Sequence, residues 1–516
     1  MNSSNWKQLI ALTLFAALAA PAHLAAQETA KQPHYKLIDL GTLGGPHSYG
    51  SVNGDGFQLL NNSGVVASYA DTSLPDPNAP NFCSVQDCFL THAFRWKDGV
   101  KTDLGALPGI NNSAAGSINA RGWIAGQSGN GLIDPLLGIP EGRAVLWKNG
   151  QIMDLGTLGG GNFSLGIYVN DAGQVVGISA NAVPDPFSLF GAGVQIRTFL
   201  WEDGVIQDIG TLGGPDALPG ASCSNQPTGL IVGASYTNFS PNALTGVPTL
   251  DPFVWKNGKM IDLGTLGGVT GFAQCANNRG QVIGQSSTAA MPGACVPGNI
   301  GLGCHPFLWE EGILSDLGTL GGDNAEAIWI NDVGDVVGSA DLPGSQIHDA
   351  VIWTHGKIRD LGTVAGDPCS RGRGLNARGQ VVGGSSDCHN FLHAFLWEEG
   401  GPMLDLNTLV PPGSGMQLTN AFNINDRGEI LAKAAPLGFT PNDDADLGHL
   451  VLLVPCDSGD TGCEGNDART TSVEPQNSAS ITNSPATTTP LTPRANAAAW
   501  RARLARQYHI LGTPKN

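Results

Sequence analysis

Four Asp-Pro pairs begin at Asp76, Asp134, Asp185 and Asp251, and the segments around them also carry Phe82, Phe187, Phe190, Tyr236 and Phe239. Carboxylates next to aromatic rings suit sugar recognition. The ring face stacks on apolar C–H groups, and the carboxylate accepts hydrogen bonds from hydroxyls. These nine residues are the candidate ligand-binding set, and ordinary loop packing is the competing reading. No pattern for covalent chemistry accompanies them. The chain lacks a G-x-S-x-G elbow, an H-E-x-x-H pair and a Walker loop. Gly372-Arg373-Gly374 is an incomplete nucleotide fingerprint placed before a strand rather than a helix. Recurrent Asn-Asp-x-Gly strings lack the alternating oxygen ligands of a calcium loop. No catalytic residue, metal or cofactor is therefore assigned, and a non-enzymatic role is favoured.

Composition narrows the class. The chain has 516 residues, of which 72 are Gly and 33 Pro, and only 14% are charged. An ordinary soluble domain carries roughly 25% charged residues. Apolar content is 41%, too high for bulk disorder. The formal charge of −18 argues against nucleic acid, whose phosphates call for Lys and Arg. So much Gly in so uncharged a chain points to turns repeated many times.

The repeat is explicit. Asp-Leu-Gly-Thr-Leu-Gly-Gly stands at 39–45, 154–160, 262–268 and 316–322, with near copies from Asp103, Asp208, Asp360 and Asp405. Seven copies are preceded by an apolar run ending in Trp, then two residues and Gly. The Trp residues are Trp96, Trp147, Trp201, Trp255, Trp309, Trp353 and Trp397. Asn-Gly or Asp-Gly between apolar runs is the strongest short-range hairpin signal. A second hairpin follows, clearest at Val169-Asn170-Asp171-Ala172-Gly173-Gln174-Val175-Val176-Gly177. Each unit therefore holds four short strands, too short for helices.

Four antiparallel strands per unit, repeated eight times, predict an all-β fold: a β-propeller of eight four-stranded blades. The chain enters on a second strand of the unit (Tyr35–Leu40) and ends on a first strand (Leu450–Val454). The reading assigns the last blade three strands from the N-terminal end and one from the C-terminal end. Joining both chain ends in this way removes free sheet edges. Eightfold recurrence marks scaffold rather than a site. The Trp residues are expected to pack between blades, and the Asp of Asp-Leu-Gly to bind turn amides.

The ten cysteines suit an oxidising compartment. Cys83/Cys88, Cys295/Cys304 and Cys456/Cys463 are local pairs. Cys369 and Cys388 flank one hairpin symmetrically. Cys223 and Cys275 hold equivalent places in adjacent units. Lys7 followed by the apolar run Leu9–Ala20 and small residues reads as a signal peptide over 1–26. The propeller then spans 27–455. Residues 456–493 form a Ser/Thr/Pro-rich disordered linker, and 494–516 a short basic amphipathic helix. The mature chain is expected to have no transmembrane segment, to be secreted (extracellular or periplasmic) and to be monomeric.

His92-Ala93-Phe94 and His393-Ala394-Phe395, with the variant His305-Pro306-Phe307, resemble the HAF-repeat family of secreted bacterial proteins. The run Phe395-Leu396-Trp397, Asp405-Leu406-Asn407-Thr408-Leu409 and Ile424-Asn425-Asp426-Arg427-Gly428 is similar to the family's closing repeat. The resemblance covers 35–454. It implies an extracellular or periplasmic repeat protein and brings no catalytic residues. Ala144, Thr198 and Pro252 lack the preceding His. The Ser-x-Asp-x-Gly-x-x-Trp box of sialidase-like propellers is absent, and Trp-x-x-Gly reverses the docking motif of quinoprotein propellers.

A site should lie where the units differ. The segments 71–91, 127–143, 178–197, 234–251 and 285–305 are long, and they carry the nine candidates. Long loops on a rigid scaffold are a usual place for binding. The reading is a binding module for an extracellular glycan or protein. The alternatives are a propeller-scaffold polysaccharide lyase or hydrolase, or a structural cell-envelope component.

Overall fold

A computed structural model describes residues 33–51, 56–135, 138–221, 223, 229–292, 295, 303–438, 448–456 and 463. The signal segment 1–26, the linker apart from Cys456 and Cys463, and the C-terminal helix 494–516 lie outside the described residues. All the strands belong to the unit that begins at His34.

The strands form six four-stranded sheets and one eight-stranded sheet. The larger sheet is two four-stranded sets joined by a single parallel pairing, Leu250 with Thr270. The described strands thus make eight antiparallel sets, and the fold is an all-β propeller. One set shows the plan: Ser164–Val169, Val175–Pro184, Val194–Glu202 and Val205–Asp208, paired in that order. First strands of neighbouring sets lie against each other, so the first strand is innermost. Among the described residues no helix is long and apolar enough to cross a membrane.

The chain ends meet as a velcro. Tyr35–Asp39 pairs antiparallel with His449–Pro455, from Tyr35 opposite Pro455 to Asp39 opposite Val451. That sheet contains Met416–Ile424, Ile430–Pro436, His449–Pro455 and Tyr35–Asp39. Three of its strands come from the C-terminal end and one from the N-terminal end, the reverse of the predicted split. The sequence unit is not the sheet: Asp-Leu-Gly-Thr-Leu-Gly-Gly is the corner where the chain leaves the outer strand of one set for the inner strand of the next.

The repeated residues have separate tasks. In the outer hairpins Asp98, Asn149, Asp203, Asn257, Glu311 and His355 all have positive φ, between 47° and 54°. The tight hairpin turn demands this conformation even of Glu and His. At the corners, the carboxylates of Asp39, Asp103, Asp154, Asp208, Asp262, Asp316 and Asp360 each accept the N–H of the Gly two residues on, at 2.7–2.9 Å. Asp405 does the same for Asn407. The Gly of the second strand has another reason. A Cβ on Gly177, Gly284 or Gly383 would overlap an inner-strand carbonyl and press on the ring of Phe199, Phe307 or Phe395. The ring of the third strand therefore lies across the glycine, fully buried.

An asparagine ladder ties the sets together. Among the described residues, six inner-hairpin Asn side chains each donate an N–H to the backbone carbonyl of the counterpart in the next set. The steps are Asn61 to Asn119, Asn119 to Asn170, Asn277 to Asn331, Asn331 to Asn376, and Asn376 to Asn425, at 2.8–3.2 Å. Asn425 then donates to Asn61 at 3.1 Å, which closes the ring across the chain ends. Asn225 lies outside the described residues. Gly56 and Phe57 lie against inner strands far from them in sequence. A Cβ on Gly56 would meet Gln274, Ala221 and Ile328 of three distant sets, while Asn423 brackets Phe57 and Leu59.

Six of the seven repeat Trp residues are buried, and Trp309 is half-buried. Trp147 reaches the neighbouring set, donating its indole N–H to Leu104 O at 3.1 Å. All five cysteine pairs form disulfides: Cys83–Cys88, Cys223–Cys275, Cys295–Cys304, Cys369–Cys388 and Cys456–Cys463. Cys223–Cys275 crosses between adjacent sets with its Cα atoms 5.8 Å apart.

Candidate ligand-binding face

Strand alternation decides what can meet. Second strands end and third strands begin on one edge of the ring, where the long loops therefore lie together with the Asp-Leu-Gly corners. Both hairpin turns lie on the opposite edge. Exposed apolar side chains on the loop edge include Leu74, Ile110, Leu132, Ile133, Phe239 and Leu437, each at least half exposed.

A row of ion pairs underlies this edge. The residue two before the buried Phe or Val of the third strand faces the corner Asp of the fourth strand, which lies eleven residues later except where the chain ends meet. His92 meets Asp103 at 3.1 Å, Arg143 meets Asp154 at 3.3 Å, and Arg197 meets Asp208 at 3.1 Å. His305 meets Asp316 at 2.8 Å, and His449 meets Asp39 at 2.9 Å. The His of the His-Ala-Phe triplet is thus a cross-strand partner. His393 departs from the row and bonds Asp367 at 2.8 Å. Two positions hold Asp instead. Burial, then the charge of Asp262, pushes Asp251 up to about 6. Burial, then Asp360, pushes Asp349 up to about 6.

The hydrogen bond to Asp316 raises the His305 pKa. The pair therefore stabilises the fold fully below the unfolded histidine value, and this contribution is lost as pH rises through the folded one. It is part-exposed, so His305→Ala should cost only about 0.5 kcal/mol. An NMR titration of the His305 ring should show a midpoint above that of a free imidazole.

A hollow of about 130 Å³ opens between loop 71–91 and loop 127–143. Phe82, Ile110, Leu132 and Ile133 supply apolar wall, and Asn78, Asn111 and Glu141 supply polar groups. Glu141 is held by Asn130 at 2.8 Å. Asn111 is held by donating to the carbonyls of Leu107 and Pro108.

The sequence candidates divide. Phe82 lines the hollow, and Phe239 is exposed. Phe187, Phe190 and Asp251 are half-buried. Asp76, Asp134, Asp185 and Tyr236 are buried rather than presented on the face. Asp76 accepts from the N–H groups of Asn78 and Ser84 and from the Asn112 amide, which fastens its loop to the next set. Asp185 accepts from Phe187 N–H at 2.9 Å. Tyr236 is wholly buried, with its hydroxyl toward Phe187 O. A buried Asp before Pro serves as a loop staple, because its carboxylate reaches the amides just beyond the Pro.

Sequence reasoning missed a titratable cluster under loop 71–91. Asp71 is wholly buried. It accepts from the Tyr49 hydroxyl at 3.0 and 3.1 Å and from His47 N–H at 2.9 Å. Burial, then the Asp87 charge, pushes Asp71 up to about 7. His47 Nδ1 accepts from Gly448 N–H at 3.0 Å, which leaves Nε2 toward Asp87 at 3.8 Å. Lys433 donates to Ser48 O at 2.6 Å and lies 5.2 Å from the Tyr49 ring centre. Tyr49 and Tyr69 stack at 5.0 Å. No string motif carries this set. The only signal is an Asp at the start of a long loop. Among the described residues no group of three or more His, Cys, Asp or Glu is placed to hold a metal ion.

No family model and no curated protein matches the chain. Solved structures of propellers do. The β-propeller domain of the Trilobed protease from Pyrococcus furiosus matches at 10% identity and a TM-score of 0.36, over 72% of this chain and 98% of that one. The Pyrococcus horikoshii acylaminoacyl peptidase matches at 11% identity and a TM-score of 0.37, over 78% of this chain and 58% of that one. The Trypanosoma rangeli sialidase matches at 10% identity and a TM-score of 0.29, over 84% and 94%. Likeness at this level says nothing about activity, and the fold rests on the strand pairings above.

Proposed function

We propose that the protein is a secreted, monomeric HAF-type repeat propeller. It acts as a binding module for an extracellular glycan or protein through its long-loop edge. The observation that carries this reading is the hollow between loops 71–91 and 127–143. It joins four apolar side chains to two amides and a carboxylate, and two of those polar groups, Asn111 and Glu141, are themselves anchored. Apolar wall with a few fixed polar groups is the usual make-up of a recognition site. The five disulfides agree with an oxidising, extracellular compartment.

A panel of immobilised polysaccharides and extracellular proteins, read for retention and for released products, tests it. Retention without cleavage is expected, and Phe82→Ala should weaken it by about tenfold, the loss of one aromatic contact. The second reading, a propeller hydrolase or lyase, has its own support. Asp71, Asp251 and Asp349 all have raised carboxyl pKa values on this edge, as general acids do. Released sugar ends lost in Asp251→Asn or Asp349→Asn would favour it.

A further inference from the structure

Three polar side chains that line the hollow are deeply buried: Asn111, Asn112 and Glu141 are 5, 5 and 8% exposed. Asn112 is fully engaged within the protein. Its oxygen accepts from Thr91 N–H at 2.8 Å, and its nitrogen donates to Asp76 at 2.8 Å. Asn111 is engaged on one side. Its nitrogen donates to Leu107 O at 3.2 Å and to Pro108 O at 3.1 Å. Both partners are carbonyls, so the amide cannot be turned over and its oxygen faces away from them. That oxygen lies beside Gly129 and Gly131, which line the hollow; a Cβ on either would stand 3.4 or 3.5 Å from it. Glu141 Oε2 accepts from Asn130 at 2.8 Å. Among the described residues no donor engages Glu141 Oε1 or Asn111 Oδ1.

The buried side chains thus offer a ligand two fixed acceptors, one of them charged, and no donor. A carboxylate so enclosed and held by one amide is costly unless a positive charge joins it. The Asn130 contact accounts for one oxygen as a tie across loop 127–143 and leaves the other without a task. The matching group carries donors, no acceptor and a positive charge, which describes an ammonium. Phe82, Ile110, Leu132 and Ile133 beside it suit a methylene stem. We propose that the hollow receives a lysine side chain of a protein partner, its ammonium on Glu141 Oε1 and Asn111 Oδ1 and its methylenes along the apolar wall. The inference rests on the binding role proposed above and narrows the ligand to a protein.

Other cations match less well. Arginine binds a carboxylate best through both oxygens, and Oε2 already holds Asn130. The ring hydroxyls of an amino sugar accept as well as donate, and the buried side chains keep no donor for them. The wall stands ready without a ligand, because Asp76 accepts from the N–H groups of Asn78 and Ser84 and from the Asn112 amide. The formal charge of −18 draws a basic partner toward the chain. A carboxylate in place of Ile133 would not imitate Glu141. That position is more than half exposed, so the charge gains little from an ammonium and the methylene contact is lost.

The test is saturation-transfer NMR of the peptide acetyl-Gly-Lys-Gly-amide with the full chain at physiological salt. The same peptide with its lysine amine acetylated, its arginine counterpart and glucosamine are compared. Transfer to the lysyl peptide should be strongest at the lysine methylenes. Acetylation keeps the stem and removes the charge, and should weaken binding by about tenfold or more. Glu141→Gln should weaken the lysyl peptide by about tenfold; its amide oxygen can still accept from Asn130, so the variant should fold. Glu202→Gln removes an exposed carboxylate from the opposite edge with the same change of net charge, and should bind like the wild type. Equal binding of the acetylated peptide would overturn the proposal. So would wild-type affinity in Glu141→Gln, or tighter binding of the arginine peptide or glucosamine. The acetylation comparison needs no variant and decides the matter if Glu141→Gln does not fold. Phe82-dependent retention of the wild type on the panel, with no binding of the lysyl peptide, would leave the binding role standing and remove the lysine site.

Discussion

Asn376→Ala should destabilise the ring by on the order of 3 kcal/mol, a large loss for one exposed-looking turn residue. The Asn376 carboxamide oxygen accepts the N–H groups of Arg378 and Gln380 at 3.0 and 3.1 Å. Its nitrogen donates to Gln380 Oε1 at 2.7 Å and to Asn425 O at 3.0 Å. Alanine would leave a buried carbonyl in the next set and two turn amides without their partner. Each such group costs about 1–3 kcal/mol when buried, although turn water recovers part of it. The same change at Asn425 carries a second consequence, because that rung joins the two ends of the chain. Denaturant unfolding of both variants against wild type measures the effect. Asn62→Ala, an exposed neighbour that bonds only exposed groups, is the control and should lose under about 1 kcal/mol.

Phe395→Ala should cost about 3–5 kcal/mol, the usual range for deleting a buried aromatic ring. The ring is wholly buried and lies over Gly383. Gly383→Ala should also destabilise, because its Cβ would overlap the Arg371 carbonyl oxygen and stand 2.9 Å from the Phe395 ring. These two changes look as if they should rescue each other, with a methyl filling the space the ring vacates. The geometry says otherwise. The nearest obstacle to the methyl is backbone of the paired inner strand, which removing the ring does not move. The double variant should therefore be no more stable than Phe395→Ala alone. Unfolding curves of the three variants decide this, and rescue by more than about 1 kcal/mol would show that the ring, not the carbonyl, dictates the glycine.

The scaffold is legible in the sequence because its signals repeat. Asn-Gly and Asp-Gly between apolar runs mark the hairpins, and the offset between Tyr35–Leu40 and Leu450–Val454 marks the closure. The cysteine spacings indicate pairings that the structure contains. The sheet boundary is easily misplaced because the corner Asp-Leu-Gly-Thr-Leu-Gly-Gly looks like the middle of a unit, whereas it is the step between two sheets. The asparagine ladder is hidden for a different reason. Asn at the head of a turn already has a sufficient local explanation, and nothing local says that its other amide atoms reach the next set. The His of His-Ala-Phe becomes intelligible only once Arg143, Arg197 and Asp251 are placed in the same position opposite a corner Asp.

Sites are less legible than scaffold because loop residues carry no period. Asp76 and Tyr236 have the composition of a sugar site but serve the scaffold, Asp76 by holding amides of its own loop and Tyr236 by donating to Phe187 O of the preceding loop, since a long loop must satisfy its amides and bury some apolar surface before it can offer anything to a ligand. Asp71 and Asp87 are sixteen residues apart, and only the return path of the loop brings both to His47. Phe82 is the candidate for which composition and geometry agree.

The claim on which the rest depends is that the long-loop edge, not the turn edge, is the ligand face. Two variants separate these directly. Ile133→Asp places a charge in the hollow wall, and Val205→Asp places one in an outer hairpin on the opposite edge; both side chains are already exposed, so both variants should fold. Measured on whichever immobilised polysaccharide or protein retains the wild type, Ile133→Asp should lose most retention and Val205→Asp should keep it. The reverse pattern, or equal retention by both, would contradict the account.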